Sequence, residues 1–176
     1  MACSNLRALK LRRKEAMNPV HLPSHQVVSE ARIFLQAAQL IEKHARNGNT
    51  DLFWPAAMNA GLASELYLKS FLVDYDLAHP GEVDDPEWFL SGQKGHNLVV
   101  LYKAIPSEYA EEIREISERL SPGFQLERRL DDCSKLFVGT RYTYEHGSIQ
   151  GLHLDFFELA PRLELILAEI TQTAID

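Results

Sequence analysis

The spacing of apolar residues is the feature that most constrains the fold of this chain. From Val27 to Ile41, apolar side chains recur every three or four positions, which is the period of an α-helix with one buried face. Alternating polar and apolar residues, the pattern of a half-buried strand, nowhere reach a convincing strand length. The pattern therefore predicts an all-α fold, a helical bundle. Further helical stretches are predicted near residues 52–72, 98–105, 107–120, 126–137 and 155–173.

Residues typical of helix ends mark several boundaries. Ser24 is a plausible N-cap of the first helix, and Gly48 follows its last turn. Thr50 or Asp51 is expected to cap a second helix, in whose first turn Pro55 is tolerated. Two later starts are predicted, at Asn97 or His96 and at the capping box formed by Asp155 and Glu158.

Two segments lack the helical pattern. Between about 74 and 95 the chain is rich in Pro, Gly and Asp, which predicts a long loop, and loops of this length tend to be functional or mobile. Residues 1–23 contain no apolar run that could follow a signal-peptide start, and we expect a disordered basic tail there. Residues 24–176 are expected to form a single helical domain.

Charge is distributed unevenly along the 176 residues. Residues 1–16 contain five basic side chains and one carboxylate, whereas the formal charge of the whole chain is −7. The body of the protein is therefore acidic and is expected to repel nucleic acid at long range. No stretch approaches the roughly 20 consecutive apolar residues of a membrane helix. We expect a soluble protein without a membrane contact.

Cysteine and histidine usage argues against a metal site. Cys3 and Cys133 form no C-x-x-C pair, and Cys133 is expected to be a small core residue. The seven histidines are scattered, apart from His21 and His25, which are four positions apart. No metal and no cofactor is therefore expected, and the cysteine usage fits a reducing, cytoplasmic setting.

A dense polar cluster, Arg141-Tyr-Thr-Tyr-Glu-His146, precedes the last predicted helix. In a straight helix Arg141 and His146 would lie about 140° apart, so they converge only if the chain bends near Gly139 or Gly147. Histidine transfers protons near neutral pH, and arginine clamps phosphate. The pair would suit metal-independent cleavage of RNA by its 2′-hydroxyl group.

A structural interpretation of the same cluster stays open. Arg141 and Glu145 are four positions apart and can form an ion pair along a helix. Tyr142 and Tyr144 would then be packing residues, and His146 a cap or hinge.

Three stretches together resemble the HEPN domains (higher eukaryotes and prokaryotes nucleotide-binding). The first is the Arg141-x-x-x-x-His146 spacing late in an all-helical chain. The second is Ala57-Met-Asn-Ala-Gly-Leu-Ala-Ser-Glu-Leu-Tyr-Leu-Lys69, which is similar to the second helix of those domains. The third is Gly95-His-Asn-Leu-Val-Val-Leu-Tyr102, which is similar to their Gly-His-x-Leu helix start. The resemblance covers about residues 27–172.

The resemblance implies an up-and-down bundle of four to five main helices, often a homodimer that brings two Arg/His motifs together. Active members are metal-independent endoribonucleases of toxin–antitoxin, phage-defence and RNA-processing systems. On this basis Arg141 would clamp the phosphate, and His146 would be the general acid and base. Other members bind a nucleotide, RNA or a protein partner without catalysis. An antitoxin or another protein is therefore a further expected partner.

Five residues outside the Arg/His pair are candidates for substrate binding: Tyr142, Tyr144, Glu65, Lys69 and His96. Glu65 and Lys69 can equally form an i,i+4 ion pair on the helix surface, worth about 0.3 kcal/mol. His96 or Asn97 can equally serve as a helix cap.

Overall fold

The computed structural model describes residues 20–75, 90–141, 146 and 151–173, and in this part of the chain the predicted all-α class is confirmed. Among the described helices, four have 14 or more residues. None of the helices in these ranges combines the length and apolarity needed to cross a membrane. The helices are α1 (His25–Arg46), α2 (Phe53–Lys69), α3 (Leu98–Ala104), α4 (Ser107–Leu120), α5 (Leu126–Asp132), α6 (Leu136–Gly139) and α7 (Leu159–Thr173).

Helix α2 lies at the centre of the fold, in contact with α1, α3, α6 and α7. Its buried face is made largely of small side chains, which let neighbouring helices come close. The main core forms where the larger apolar side chains of the other helices meet α2. Its largest fully buried members include Tyr67, Phe71, Leu101, Ile113, Leu130, Leu163 and Ile166.

The first helix begins and ends where the sequence predicts. Ser24 occupies the N-cap position, although its side chain makes no capping hydrogen bond. Its backbone amide instead donates to the carbonyl oxygen of Ser70, 2.8 Å away. The predicted basic tail lies largely outside the described residues, and Leu22 already packs against the core.

The helices predicted to begin at 107 and 126 begin there, and of the other predicted caps the one at Asn97 is confirmed. The side-chain oxygen of Asn97 accepts a hydrogen bond from the amide of Val100, at 2.9 Å. Thr50 and Asp51 do not cap α2, because a 3-10 turn, Thr50–Leu52, precedes that helix. A second turn, Leu154–Phe157, replaces the predicted capping box, and Asp155 is bound there by Arg129 at 3.0 Å.

The predicted loop at about 74–95 is partly wrong, because its ends form a small sheet. Strands β1 (Val73–Tyr75) and β2 (Leu90–Gly92) pair in antiparallel fashion, with Asp74 opposite Ser91. Three residues are too few for an alternating pattern to stand out in the sequence. Residues 76–89, the middle of the predicted loop, lie outside the described residues.

The helix predicted at 126–137 is divided into α5 and α6. The hydroxyl group of Ser134 donates to the carbonyl oxygen of Leu130 at 2.7 Å, in the turn between the two helices. After this turn the backbone of Phe137 lies directly on α2. A Cβ atom at Gly61 would be 2.7 Å from the backbone nitrogen of Phe137, so only glycine permits this approach.

Candidate functional site

The deepest charged group of the described chain is the carboxylate of Glu65, on the buried face of α2. Glu65 is 2% exposed, so its charge is largely removed from water. Lys69, one turn further along the helix, donates from Nζ to Oε1 of Glu65 at 2.7 Å. The sequence allowed either a surface ion pair or a substrate-binding role for these two residues; the pair forms, with its carboxylate buried. A buried carboxylate requires such partners, because an unpaired charge in the core is costly.

His96 supplies a second partner to the same carboxylate. Its Nδ1 lies 3.0 Å from Oε1 and 2.9 Å from Oε2 of Glu65. Gly95 has a φ of +106°, in the left-handed region that favours glycine, and it joins the segment after β2 to the start of α3. His96 therefore reaches α2 from the turn that precedes α3, and it contacts Glu65 rather than capping the helix.

The contact with Glu65 determines which ring nitrogen of His96 carries the hydrogen and which one can accept a proton. An ionised carboxylate only accepts hydrogen bonds, so Nδ1 carries the hydrogen. In the neutral ring Nε2 is then an acceptor, able to take up a proton. The side chain of His96 is 50% exposed, so a carboxylate-oriented imidazole is open to a bound molecule. Orientation by a buried carboxylate is the arrangement that general-base histidines use.

Phe137 joins this pair to the arginine of the predicted motif. The ring centroids of His96 and Phe137 are 5.4 Å apart. The guanidinium carbon of Arg141 lies over the same Phe137 ring, 5.2 Å from its centroid. A cation over an aromatic face is attracted by the ring quadrupole. His96 therefore contacts both the buried Glu65 and the Phe137 ring over which Arg141 lies.

The motif itself begins outside a helix. Helix α6 ends at Gly139, and Arg141 lies in the following turn with its side chain exposed. The helix therefore ends at one of the two places where a bend is expected to let Arg141 and His146 converge, and residues 142–145 between them lie outside the described residues. His146 is also exposed and in a turn, whereas Tyr142 and Tyr144 lie outside the described residues.

A groove of about 580 Å³ opens beside His96 and Lys69. Its walls come from the start of α1, the end of α2, both strands and the segment that leads to His96. Polar and apolar side chains share its lining: Gln26, Val27, Glu30, Leu66, Lys69, Val73, Leu90, Gln93, Lys94 and His96.

The chemistry available at this site is proton transfer combined with anion binding. In the described part of the chain, no three His, Cys, Asp or Glu side chains are grouped so that they could hold a metal ion. The groups that come together are an oriented imidazole, a permanent guanidinium cation and lysine ammonium groups. Such groups bind and polarise phosphate esters.

Two contributions to the site were missed by the sequence analysis. Phe137 was read only as the end of a helix, although it precedes Arg141 by four positions, a spacing at which side chains meet. Lys94 and Gln93 were read as loop residues, because the groove they line depends on the pairing of β1 with β2.

Comparison with known proteins identifies no relative of this chain. No protein-family model matches the chain, and no curated protein or solved structure is significantly similar to it.

Proposed function

We propose that this chain is a HEPN-like, metal-independent endoribonuclease of toxin or defence type that acts through Arg141 and His146. The observation that carries the proposal is the position of Arg141, which lies in the turn after α6 with its guanidinium carbon 5.2 Å from the centroid of the Phe137 ring. Arg141 and His146 are both exposed and both lie in turns, which agrees with the bend that the motif requires.

The role of Arg141 follows from its position and chemistry. Its guanidinium group is exposed and lies over an aromatic ring, which restricts its motion. A planar fork of N–H donors fits two phosphate oxygens at once and offsets the charge that develops on them. Arg141 would therefore bind the phosphodiester that is cleaved.

His146 would act on the protons of the reaction. As general base it takes the proton from the RNA 2′-hydroxyl group, whose oxygen attacks the adjacent phosphorus. The bond from phosphorus to the 5′-oxygen breaks, and that oxygen receives a proton from an imidazolium group. The products are a 2′,3′-cyclic phosphate and a 5′-hydroxyl group. Histidine suits both transfers near neutral pH.

The resemblance supplies the rest of the proposal. An up-and-down HEPN-like bundle would pair as a homodimer and place two Arg/His motifs across one interface. A cytoplasmic toxin of this kind would be held inactive by an antitoxin or another protein partner. The acidic body of the chain, with a formal charge of −7 for the whole protein, agrees with a narrow phosphate site rather than a broad basic face.

Cleavage of a single-stranded RNA in the presence of EDTA tests the proposal. Wild-type protein should cleave, whereas His146→Ala and Arg141→Ala should lose at least about 100-fold in rate, the usual scale for such groups. His44→Ala is the matched control, because His44 is an exposed histidine of α1 outside the site. Equal rates for wild type and His146→Ala would contradict the proposal.

The alternative function is a non-catalytic helical module that binds a nucleotide, RNA or a protein partner. The groove beside His96 favours this alternative, because it offers a binding surface that does not include His146. Binding without cleavage by the wild-type protein would select it.

A further inference from the structure

A pocket of about 460 Å³ lies between α3, α4 and the start of α5. Its volume falls within the ~300–1,000 Å³ typical of small-molecule sites. It shares no lining residue with the groove beside His96, and neither Arg141 nor His146 lines it. We propose that this pocket binds a free α-amino acid with a large apolar side chain, whose carboxylate lies against α4 and whose ammonium group lies against α5. The inference does not rest on the proposed function.

The apolar wall of the pocket is formed by Tyr102, Phe124 and Leu126. The hydroxyl group of Tyr102 donates to the carbonyl oxygen of Ala110 at 3.1 Å, which fixes the position of that ring. Phe124 is partly buried, and the guanidinium carbon of Arg162 lies over its ring, 5.1 Å from the centroid. Two aromatic rings that are already held in place can pack against an aromatic or aliphatic ligand. The wall therefore favours a ligand with a large apolar body.

The charged part of the lining contains more carboxylates than guanidinium groups. Its members are Glu115, Glu118, Glu127, Arg114 and Arg128. Two of them already have partners, because Glu118 accepts from the amide of Gly123 at 3.1 Å and Arg128 donates to Oε1 of Gln125 at 3.3 Å. A surplus of negative charge repels a phosphate or another purely anionic ligand. The lining therefore favours a ligand that carries a positive charge.

Arg114 of α4 and Glu127 of α5 are opposite charges that do not pair. Within the described ranges neither forms an ion pair, with each other or with a third residue. Both nevertheless lie close enough to Tyr102 to act on its hydroxyl group. Burial raises the pKa of Tyr102, the carboxylate of Glu127 raises it further, and the guanidinium group of Arg114 lowers it. A ligand over Tyr102 that carries both an anionic and a cationic group can bridge the two side chains.

Ser117 gives this bridge a direction. Its side chain lines the pocket and is 2% exposed, and its hydroxyl group has no hydrogen-bond partner in the part of the chain that the structure describes. Buried hydroxyl groups normally have a partner. Ser117 follows Arg114 by three positions, so the two side chains share one face of α4. Together they supply hydroxyl and guanidinium donors to a carboxylate, which leaves the ammonium group of the ligand for Glu127.

Calorimetric titration of the full chain tests the inference, with L-phenylalanine as the probe. Four analogues each remove one part of it: phenethylamine lacks the carboxylate, hydrocinnamate lacks the ammonium group, N-acetylphenylalanine amide lacks both charges, and L-alanine lacks the ring. The variants are Arg114→Gln, Glu127→Gln and Ser117→Ala. The matched controls are Arg119→Gln and Glu111→Gln, which make the same charge changes at exposed positions of α4 outside the pocket.

L-Phenylalanine is expected to bind at least about tenfold more tightly than each analogue, because every analogue lacks a charge-assisted or apolar contact. Arg114→Gln and Glu127→Gln should each weaken its binding at least about tenfold, Ser117→Ala about threefold, and the controls less than about twofold. The two charge variants should also separate the analogues. Arg114→Gln should not weaken the binding of phenethylamine, and Glu127→Gln should not weaken the binding of hydrocinnamate.

Several results would overturn the inference. They are no binding of L-phenylalanine at millimolar concentration, an analogue that binds as tightly as L-phenylalanine, and a charge variant that binds like its control. Unchanged binding by Ser117→Ala would overturn the placement of the carboxylate on α4. Urea unfolding of each variant excludes loss of the fold as the cause of weaker binding. RNA cleavage bears on none of these results, so this inference and the proposed function fail separately.

Discussion

Nδ1 of His96 lies 2.9 Å from Oε2 of Glu65, so a half-exposed imidazole is held by a carboxylate that is 2% exposed. The two residues are 31 positions apart in sequence, and the contact joins the turn before α3 to the buried face of α2. The same carboxylate binds Lys69. One buried acid therefore organises two of the groups that border the groove.

Replacing Glu65 with alanine should destabilise the protein strongly. Lys69 and His96 would lose their common acceptor, and leaving a partly buried donor without its partner costs about 1–3 kcal/mol. Urea unfolding measures the loss. The control is Glu42→Ala, which removes an i,i+4 partner at the same spacing from the half-exposed Arg46 and should cost less than about 1 kcal/mol. Equal losses in the two variants would contradict the buried role of Glu65.

Replacing Gly61 with alanine should also destabilise, although alanine favours helices by about 1 kcal/mol over glycine. The added Cβ would lie 2.7 Å from the backbone nitrogen of Phe137, so α6 must move away from α2. A net loss of about 1–3 kcal/mol is expected from such overpacking. Gly151→Ala is the control, since among the described residues no atom beyond its chain neighbours lies within 4 Å of a Cβ there. A Gly61→Ala variant as stable as wild type would show that α6 does not approach α2 this closely.

Phe137→Leu should reduce RNA cleavage more than it reduces stability. Leucine is also apolar but provides no ring for Arg141 and His96, so both groups lose their common support. A loss of about tenfold in rate is expected, equivalent to about 1.4 kcal/mol. Denaturation curves recorded beside the rates separate this effect from unfolding. An unchanged rate in a folded variant would remove Phe137 from the site.

The thiol of Cys133 should be unreactive in the native protein. Burial, and to a lesser extent the negative charge of Asp132, raises its pKa from 9.0 to about 12. Only the thiolate attacks disulfide reagents, so a Cys3→Ser variant should react at pH 8 only after unfolding. Rapid reaction without denaturant would contradict this burial.

Because the pKa of Cys133 is raised, the free energy of unfolding should depend on pH in the alkaline range. Because the pKa of Cys133 is raised in the folded state, the unfolded chain loses this proton first as the pH rises above 9. Burial likewise raises the pKa of Tyr67 above its ordinary value of 10.0. The free energy of unfolding should therefore be steady from pH 7 to about 8 and fall above pH 9. The fall should be smaller in Tyr67→Phe, as urea unfolding at each pH would show.

Local signals in the sequence were sufficient for much of the helical framework. The apolar period and the flanking Ser24 and Gly48 predict α1, and Asn97 predicts the start of α3. These features act over a few residues, so they can be identified without knowing what packs nearby. The all-α class follows from the same repeating pattern.

Features that depend on distant contacts were not predictable in this way. Asp155 follows a capping pattern but is bound by Arg129, 26 positions away. The i,i+4 spacing of Glu65 and Lys69 is typical of a surface ion pair, yet Glu65 is buried. Its carboxylate contacts His96, which lies 31 positions later in the chain. The residue types of the site could be identified from the sequence. The contacts of His96 and Arg141 with Phe137 could not, because they depend on how α6 packs on α2.

Product analysis with a modified RNA tests the central claim most directly. The substrate is a single-stranded RNA, compared with the same RNA carrying a 2′-deoxy sugar at the cleaved position, both in EDTA. The account predicts 2′,3′-cyclic phosphate and 5′-hydroxyl ends from the first RNA, no cleavage at the deoxy position of the second, and no cleavage by His146→Ala. Cleavage at the deoxy position, or undiminished cleavage by His146→Ala, would contradict it.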